Sequence, residues 1–149
     1  MKKPLILVTN DDGITAPGIR TLISIMKEIG QVVVVAPDSP QSAMGHAITV
    51  NNTLFLEQVY IDKDEIKEFA CSGTPVDCVK IAIDQIIKAK PDICVSGINH
   101  GSNSASNVIY SGTMSAAVEA GMSGIPAIGF SLADFSWNAD FEPIKKFVK

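Results

Sequence analysis

The stretch LILVTNDDGITAPGI, residues 5–19, decides the fold and raises a question about charge. Its apolar run, residues 5–8, is typical of a strand buried in a parallel sheet, and Pro17 opens a helical pattern that ends at Gly30. Between them stand two adjacent carboxylates, Asp11 and Asp12. At a separation of about 5 Å and an effective dielectric constant of about 20, two such charges repel by about 3 kcal/mol. Something at this strand end must offset that repulsion.

The alternation of apolar runs and helical patterns continues along the chain. QVVVVAP at residues 31–37 predicts a second strand, and PDICVSGIN and PAIGFS predict two more. Thr74 and Pro75 mark the start of a helix that reaches residue 87, and residues 113–122 predict another helix, rich in small residues. A β-hairpin insertion is expected within residues 47–57, around Asn51 and Asn52. The sequence therefore predicts an α/β fold with a doubly wound, mostly parallel sheet and helices on both faces.

The composition fits a single ordered domain over residues 1–149. Hydrophobic residues make up 46% and charged residues 19%, which is typical of a globular protein. The net charge of −4 argues against a surface that binds a nucleic-acid duplex. The apolar run near the start is too short to cross a membrane, so no membrane partner is expected. Three cysteines without a CxxC pair predict reduced thiols and a cytoplasmic location.

Small polar residues and glycines collect where three predicted strands end. In open α/β sheets, ligands bind at the carboxyl ends of the strands, where such loops converge. One divalent cation with oxygen ligands, Mg²⁺ or Mn²⁺, would turn the repulsion between Asp11 and Asp12 into attraction. Asp-Gly alone is more often a turn, so the hypothesis depends on the convergence of all three loops. The loops carry Asn10, Asp11, Asp12 and Gly13, then Asp38, Ser39, Gln41 and Ser42, then Gly97, Asn99, His100, Gly101, Ser102 and Asn103.

A second candidate element is the turn YSGTMSAA, residues 110–117. Ser111, Gly112 and Thr113 stand at a predicted helix start, where free N–H groups and the helix dipole favour an anion. An ordinary helix cap explains these residues alone, but beside a cation site a phosphate pocket is the better interpretation. His100 has two open roles, as a donor to a phosphate or leaving oxygen or as a surface-loop residue.

Five motifs together closely resemble the SurE family, the survival-protein nucleotidases: ILVTNDDGITAPGI, VVAPDSPQSAMGHAIT, SGTPVDCV, VSGINHGSN and YSGTMSAAVEA. They follow the family's order over nearly the whole chain. The resemblance implies a Rossmann-like fold and metal-dependent hydrolysis of nucleoside 5′- and 3′-monophosphates by a homodimer or higher homo-oligomer. It implies that one divalent cation is held by Asp11, Asp12, Ser42 and Asn99, of which Asp11, Asp12 and Asn99 are catalytic. It further implies phosphate contacts from Asn99, Gly101, Ser111, Gly112 and Thr113.

The chain departs from the family's pattern at several places. Ala43 and Ala105 stand where the family commonly has glycine, so a change in loop shape or substrate preference is expected there. The family's C-terminal segment is expected to be missing, since Asp140 starts only a short helix with an apolar face. Weaker or altered self-association should follow. The apolar slot that a nucleobase needs is expected in part at residues 44–46.

Three other classes fit parts of the sequence. A receiver domain also has an acidic pair after its first strand, but it needs an aspartate after the third strand, where this chain offers serine and asparagine. A haloacid-dehalogenase phosphatase uses Asp-x-Asp, whereas Asp11 and Asp12 are adjacent. A non-catalytic metal- and nucleotide-binding module remains as the alternative function, and binding without turnover would identify it.

Overall fold

A computed structural model describes residues 3–59, 66–136 and 138–148 of the chain. Its helices and strands alternate as the sequence predicts. A single π-helical turn, Ala82–Ile87, extends the second helix, and a 3₁₀ turn, Glu142–Ile144, precedes the last one. The strands are β1 Leu5–Thr9, β2 Gln31–Pro37, β3 Leu56–Val59, β4 Lys67–Cys71, β5 Ile93–His100 and β6 Ala127–Leu132. The helices are α1 Pro17–Ile29, α2 Pro75–Ile81, α3 Asn107–Tyr110, α4 Gly112–Met122 and α5 Lys145–Val148.

The six strands form one sheet in the order β3-β4-β2-β1-β5-β6. All neighbours are parallel except β3, which runs antiparallel to β4. From β1 the chain moves outward through β2 to β4, and it then returns to β5 on the other side of β1. The strand order thus reverses between β1 and β5, which is where ligands bind in such sheets. The predicted doubly wound α/β fold is confirmed.

The core has two layers because successive side chains of a strand point to opposite faces of the sheet. Ile6 and Val8 of β1 belong to a cluster with α1 and with Val148 of α5. Leu7, between them, packs on the other face with residues of α2 and α4. Both faces are therefore covered, and the strands can be apolar throughout.

The predicted hairpin is in a different place. Residues 47–55 form no strand, and the antiparallel pair is β3 with β4, whose connecting residues 60–65 lie outside the described residues. Residues 47–49 instead lie along the start of α2. Thr74 Oγ1 donates to the Ala47 carbonyl at 2.7 Å, and Thr49 Oγ1 donates to Asp77 at 2.7 Å. Thr74 and Asp77 also form the N-terminal capping box of α2, so one cap both starts the helix and fixes the segment.

Glu68 also differs from expectation, since the charged stretch 61–68 predicts a solvated excursion. Glu68 belongs to β4 and is 2% exposed. Arg20 of α1 donates to both of its carboxylate oxygens, at 2.6 and 3.0 Å. The pair is bidentate and partly buried, so it ties α1 to the sheet.

The C-terminal residues fold much as predicted. The Asp140 side chain accepts a hydrogen bond from the Glu142 amide at 2.9 Å, and Phe141 and Val148 are buried against the sheet. Phe147, predicted on the same face, is 74% exposed, because the last turns are too short to bury all the apolar residues. The sequence also favours a packing role for Trp137, and this residue lies outside the described residues. All three cysteines are free and buried, and no helix in the described ranges has the length and apolar character to cross a membrane.

Candidate functional site

One cavity at the carboxyl edge of the sheet brings the four predicted metal ligands together. Asp11 and Asp12 follow β1, Ser42 follows β2 and Asn99 lies at the end of β5. All four line the same opening of about 230 Å³, together with Ser111 at the start of α4. Thr9, the last residue of β1, pairs with Ser96, and β5 continues to His100, so Asp11 and Asp12 lie beside the end of β5 that carries Asn99.

Asp11 is the most buried carboxylate of this site, at 5% exposure. Thr113 Oγ1 donates to its Oδ1 at 2.5 Å. Burial raises the pKa of Asp11 above its usual value, the Thr113 hydrogen bond lowers it, and the charge of Asp12 raises it further. The fold therefore holds a charge in a place that disfavours it, and a bound cation would reverse that effect.

Asp12 and Asn99 are oriented by backbone groups of the β5 end. The His100 amide donates to Asp12 Oδ2 at 3.3 Å. Asn99 Nδ2 donates to the carbonyls of His100 and Gly101, at 3.0 and 2.9 Å. Because the amide nitrogen is committed in this way, the amide oxygen of Asn99 is the atom available as a ligand.

His100 is fixed at the same strand end. Its Nε2 donates to the Ser136 carbonyl at 2.9 Å, and its ring packs edge-to-face on Phe141, with centroids 5.0 Å apart. A carbonyl only accepts, so Nε2 carries a proton and Nδ1 is the ring atom left for other contacts. His100 could therefore donate to a phosphate or leaving oxygen only through Nδ1, and only if that atom also carries a proton.

Ser42 lies on a more open part of the site, and three contacts hold its loop. The Gln41 amide donates to the Asp11 carbonyl at 2.7 Å, and the Gly45 amide donates to the Tyr110 carbonyl at 3.2 Å. His46 Nε2 lies 2.8 Å from Glu119 Oε2. Ala43, next to Ser42, has a φ of +60°, a conformation that favours the glycine common in the family.

The sequence prediction missed the role of Glu119. Its carboxylate is 8% exposed and contacts both His46 and Lys80, the latter at 3.3 Å. It thereby joins the Ser42 loop to α2 and α4. The sequence does offer one indication of this role: Glu119 is the one charged residue among the small residues of α4, Gly112–Met122.

The predicted phosphate-binding residues differ in their access to the cavity. Ser111 lines it and caps α4, since its Oγ accepts from the Met114 amide at 3.1 Å. Gly112 packs on Asp11: a Cβ at position 112 would lie 2.6 Å from the Asp11 Cβ, so only glycine fits. Thr113 is fully buried with its hydroxyl on Asp11, and Gly101 is buried; neither lines the cavity. Side-chain contact with a phosphate is therefore open to Ser111 and Asn99.

The donor set fits a hard divalent cation. It consists of two carboxylates, one amide oxygen and one hydroxyl, all oxygen ligands. The buried Asn10 Oδ1, next to Asp11, has no hydrogen-bond partner within the described ranges, and neither do the hydroxyls of Thr9 and Ser96. Those ranges contain no group of three or more His, Cys, Asp or Glu side chains, so a zinc-type cluster is not supported there.

These features define a doubly wound α/β protein with an acidic, oxygen-lined site at the switch point of its sheet. A family model described as survival protein SurE matches residues 6–149, and the chain belongs to this family.

Two relatives and one solved structure agree with this assignment. The chain is 76% identical over 148 residues to the 5′-nucleotidase SurE of Flavobacterium johnsoniae, covering 99% of this chain and 57% of that protein. It is 71% identical to the 5′-nucleotidase SurE of Flavobacterium psychrophilum, covering 100% of this chain and 58% of that protein. The crystal structure of the SurE protein from Aquifex aeolicus superposes with a TM-score of 0.85 at 42% identity, covering 97% of this chain and 56% of that one. The chain thus spans a little more than half the length of the curated relatives it matches.

Proposed function

We propose that this chain carries the catalytic site of a phosphatase that hydrolyses nucleoside 5′- and 3′-monophosphates to nucleoside and phosphate, with one divalent cation, Mg²⁺ or Mn²⁺. The single observation that carries the proposal is the meeting of Asp11, Asp12, Ser42 and Asn99 in one cavity. Two relatives at 76% and 71% identity are named 5′-nucleotidases, which supports the reaction class.

Asp11, Asp12, Ser42 and Asn99 would hold the cation, which when bound activates a water and polarises the phosphoryl group. Thr113 fixes one oxygen of Asp11, and the His100 amide fixes one oxygen of Asp12. These contacts set the direction of both carboxylates before a substrate arrives, which lowers the cost of reorganisation.

The phosphate would lie between the cation ligands and the first turn of α4. Backbone N–H groups at the start of this 11-residue helix are free of helical partners and carry the positive end of the dipole. Ser111 and Asn99 add side-chain contacts, while the missing Cβ of Gly112 lets the start of α4 pack against Asp11.

The alternative function is binding of a metal and a nucleotide without turnover. It predicts that the chain binds adenosine 5′-monophosphate but releases no phosphate from it. Both functions use the same residues, so only a turnover measurement separates them.

The test is phosphate release from a panel of purine and pyrimidine 5′- and 3′-monophosphates in the presence of Mn²⁺ or Mg²⁺. Asp11→Asn should reduce turnover by about a hundredfold or more, with an unchanged circular dichroism spectrum. Excess chelator should abolish turnover in the unsubstituted chain. Full activity in Asp11→Asn or in chelator would contradict the proposal.

We also propose a homodimer or higher homo-oligomer located in the cytoplasm. Strand β6 pairs only with β5 among the described strands, so it forms a sheet edge, and Ile128 on it is 47% exposed. The three free cysteines are consistent with a reducing compartment. Light scattering at several concentrations tests the association, and a mass that stays monomeric at all of them would contradict it.

A further inference from the structure

A second cavity, of about 350 Å³, adjoins the cation site. The two cavities share Asp12 and His100, so a molecule bound to the cation site can extend directly into the second one. The other walls are different in character, since they include the rings of Pro17, Pro40 and Phe135. The smaller cavity is polar and the larger one is mainly apolar.

Phe135 is the most unusual wall of this larger cavity, because it is a phenyl ring that is 78% exposed. Its edge rests on Gly101: a Cβ there would lie 2.2 Å from a ring carbon. The loop that carries the ring is anchored to the end of β5. The Gly101 amide donates to the carbonyls of Leu132 and Asp134, at 2.9 and 3.1 Å, and His100 Nε2 donates to the Ser136 carbonyl at 2.9 Å. The ring is thus held in an exposed position beside the site.

We infer that the larger cavity binds the nucleobase of the substrate and that Phe135 stacks on the base. This inference rests on the proposed function, since it places the phosphate in the neighbouring cavity. An anchored, exposed ring in a cavity that two prolines also line suits a flat aromatic ligand, and a volume of about 350 Å³ is within the range of small-ligand sites.

The residues that line the cavity also determine which bases it accepts. The cavity is lined by no lysine, arginine, asparagine or glutamine side chain within the described ranges. The polar side chains of its lining are Asp12 and His100, which it shares with the cation site, and Ser136. Stacking on Phe135 does not depend on which base is present, so purines and pyrimidines are both accepted, with purines favoured by their larger stacking area.

This position differs from the slot expected from the sequence at residues 44–46. His46 is paired with Glu119 in the structure. Neither Met44 nor His46 lines either of the two cavities around Asp12. The segment supports the Ser42 loop, and the aromatic wall belongs to the other cavity that Asp12 lines.

The test compares two substrates that differ only in the base, adenosine 5′-monophosphate and ribose 5-phosphate. Phe135→Ala should raise KM for the nucleotide by about 5- to 100-fold, the range expected for loss of one base-stacking contact, and leave KM and kcat for ribose 5-phosphate unchanged. Phe135→Trp should keep the low KM for the nucleotide. The matched control is Phe55→Ala, which removes a 71% exposed ring outside both cavities and should change nothing.

A binding measurement separates this inference from the proposed function. Adenosine, which lacks the phosphate, is titrated into the unsubstituted chain and into Phe135→Ala by calorimetry. If no monophosphate is hydrolysed, the proposed function fails, yet loss of adenosine affinity in Phe135→Ala still supports the base site. An unchanged KM and an unchanged adenosine affinity would overturn it. So would a larger effect of Tyr110→Ala, since Tyr110 is an exposed ring on the other cavity.

Discussion

The sheet side and the loop side of the candidate site are built in different ways. On the sheet side, Asp11, Asn99 and Thr113 are each less than 10% exposed, and each makes a hydrogen bond at a strand end or helix start. On the loop side, Ser42 is exposed in a segment, residues 38–55, that contains neither helix nor strand. The comparison teaches that a ligand set can look uniform in sequence and still combine a preformed part with an adjustable one.

The two sides of the site should respond differently to substitution. Packing and hydrogen bonds fix the sheet-side groups within the folded core, so changes there affect the site itself. The loop side depends on a few contacts, chiefly those of Gln41, Gly45 and His46, so changes there affect the geometry of one ligand. Substitutions on the sheet side should therefore have larger effects than those on the loop side.

The largest effect is expected for Asp11→Asn. In the unsubstituted chain, Mn²⁺ at a hundred times its dissociation constant should stabilise the fold by about 2.7 kcal/mol, which is about 5–10 °C in Tm. Asp11→Asn should lose most of this shift, because one buried ligand charge is gone. Differential scanning calorimetry with and without Mn²⁺ measures both quantities.

The control for this experiment is the same pair of proteins without metal. The pKa of Asp11 is raised by burial, so its ionised form is disfavoured in the fold. This penalty is present at neutral pH and is relieved as the pH falls through the raised pKa. Metal-free Asp11→Asn should therefore be at least as stable as the unsubstituted chain at pH 7. A marked loss of stability would show that Asp11 has a structural role.

The next effect concerns Thr113, the donor to Asp11. Thr113→Val keeps the shape of the buried side chain and removes the hydroxyl, so Asp11 loses its orienting hydrogen bond. Cation affinity should fall by about 10- to 100-fold, the range typical of groups that orient metal ligands. Thr113→Ser restores the hydroxyl and should recover most of the affinity. Equal losses in both variants would indicate that packing, not the hydrogen bond, matters at this position.

A smaller effect is expected on the loop side from Glu119→Gln. The substitution keeps the size of the side chain and removes the charge that faces His46 and Lys80. The Ser42 loop should become less fixed, so cation affinity should fall by about tenfold or less, which corresponds to about 1.4 kcal/mol. At saturating cation, kcat should stay nearly unchanged.

Lys80→Ala is the matched control for Glu119→Gln. Lys80 contacts the same carboxylate, but its own side chain is 52% exposed, and the described structure gives it no hydrogen bond or ion pair with the Ser42 loop. Solvent screens the charge of Lys80, and Glu119 keeps its contact with His46, so cation affinity should change much less than in Glu119→Gln. If Lys80→Ala weakened cation binding as much as Glu119→Gln, the loop contact through His46 would not be the cause.

On the sheet side, the strand ends could be predicted from the sequence because local patterns determine them, whereas the contact of Thr113 with Asp11, 102 positions away, could not. An apolar run followed by Asp11 and Asp12 places both carboxylates at a strand end, and Thr74 with Pro75 marks a helix start that the structure confirms. The loop side could not be predicted in the same way. The pairing of His46 with Glu119 joins residues 73 positions apart, and the ion pair of Arg20 with Glu68 joins residues 48 apart. Such contacts depend on tertiary packing, which periodicity does not encode.

The hairpin illustrates the same limit. Asn51 and Asn52 form a good local turn signal, yet the neighbouring Thr49 is held by Asp77 of α2, so the segment lies along the helix and forms no strand. A local preference is overruled here by hydrogen bonds to a distant element. Phe135 was also missed, because an aromatic residue in a short loop carries no pattern until its position beside His100 is known.

The smallest effect is expected within the loops, at Ala43 and Ala105. Their φ angles are +60° and +54°, in the left-handed region where a Cβ costs about 1–2 kcal/mol. Replacing either alanine by glycine relieves that strain but adds freedom to the unfolded chain, worth about 0.5–1 kcal/mol. Each substitution should therefore stabilise the fold by up to about 1 kcal/mol, or about 2–4 °C in Tm, with a change in turnover of less than about twofold.

Ala47→Gly is the control, since Ala47 lies in the same loop as Ala43 without a positive φ, and this variant should only lose stability. If Ala43→Gly lowered the Tm as much as Ala47→Gly, the left-handed conformation would not be a source of strain, and the loop would tolerate alanine at no cost.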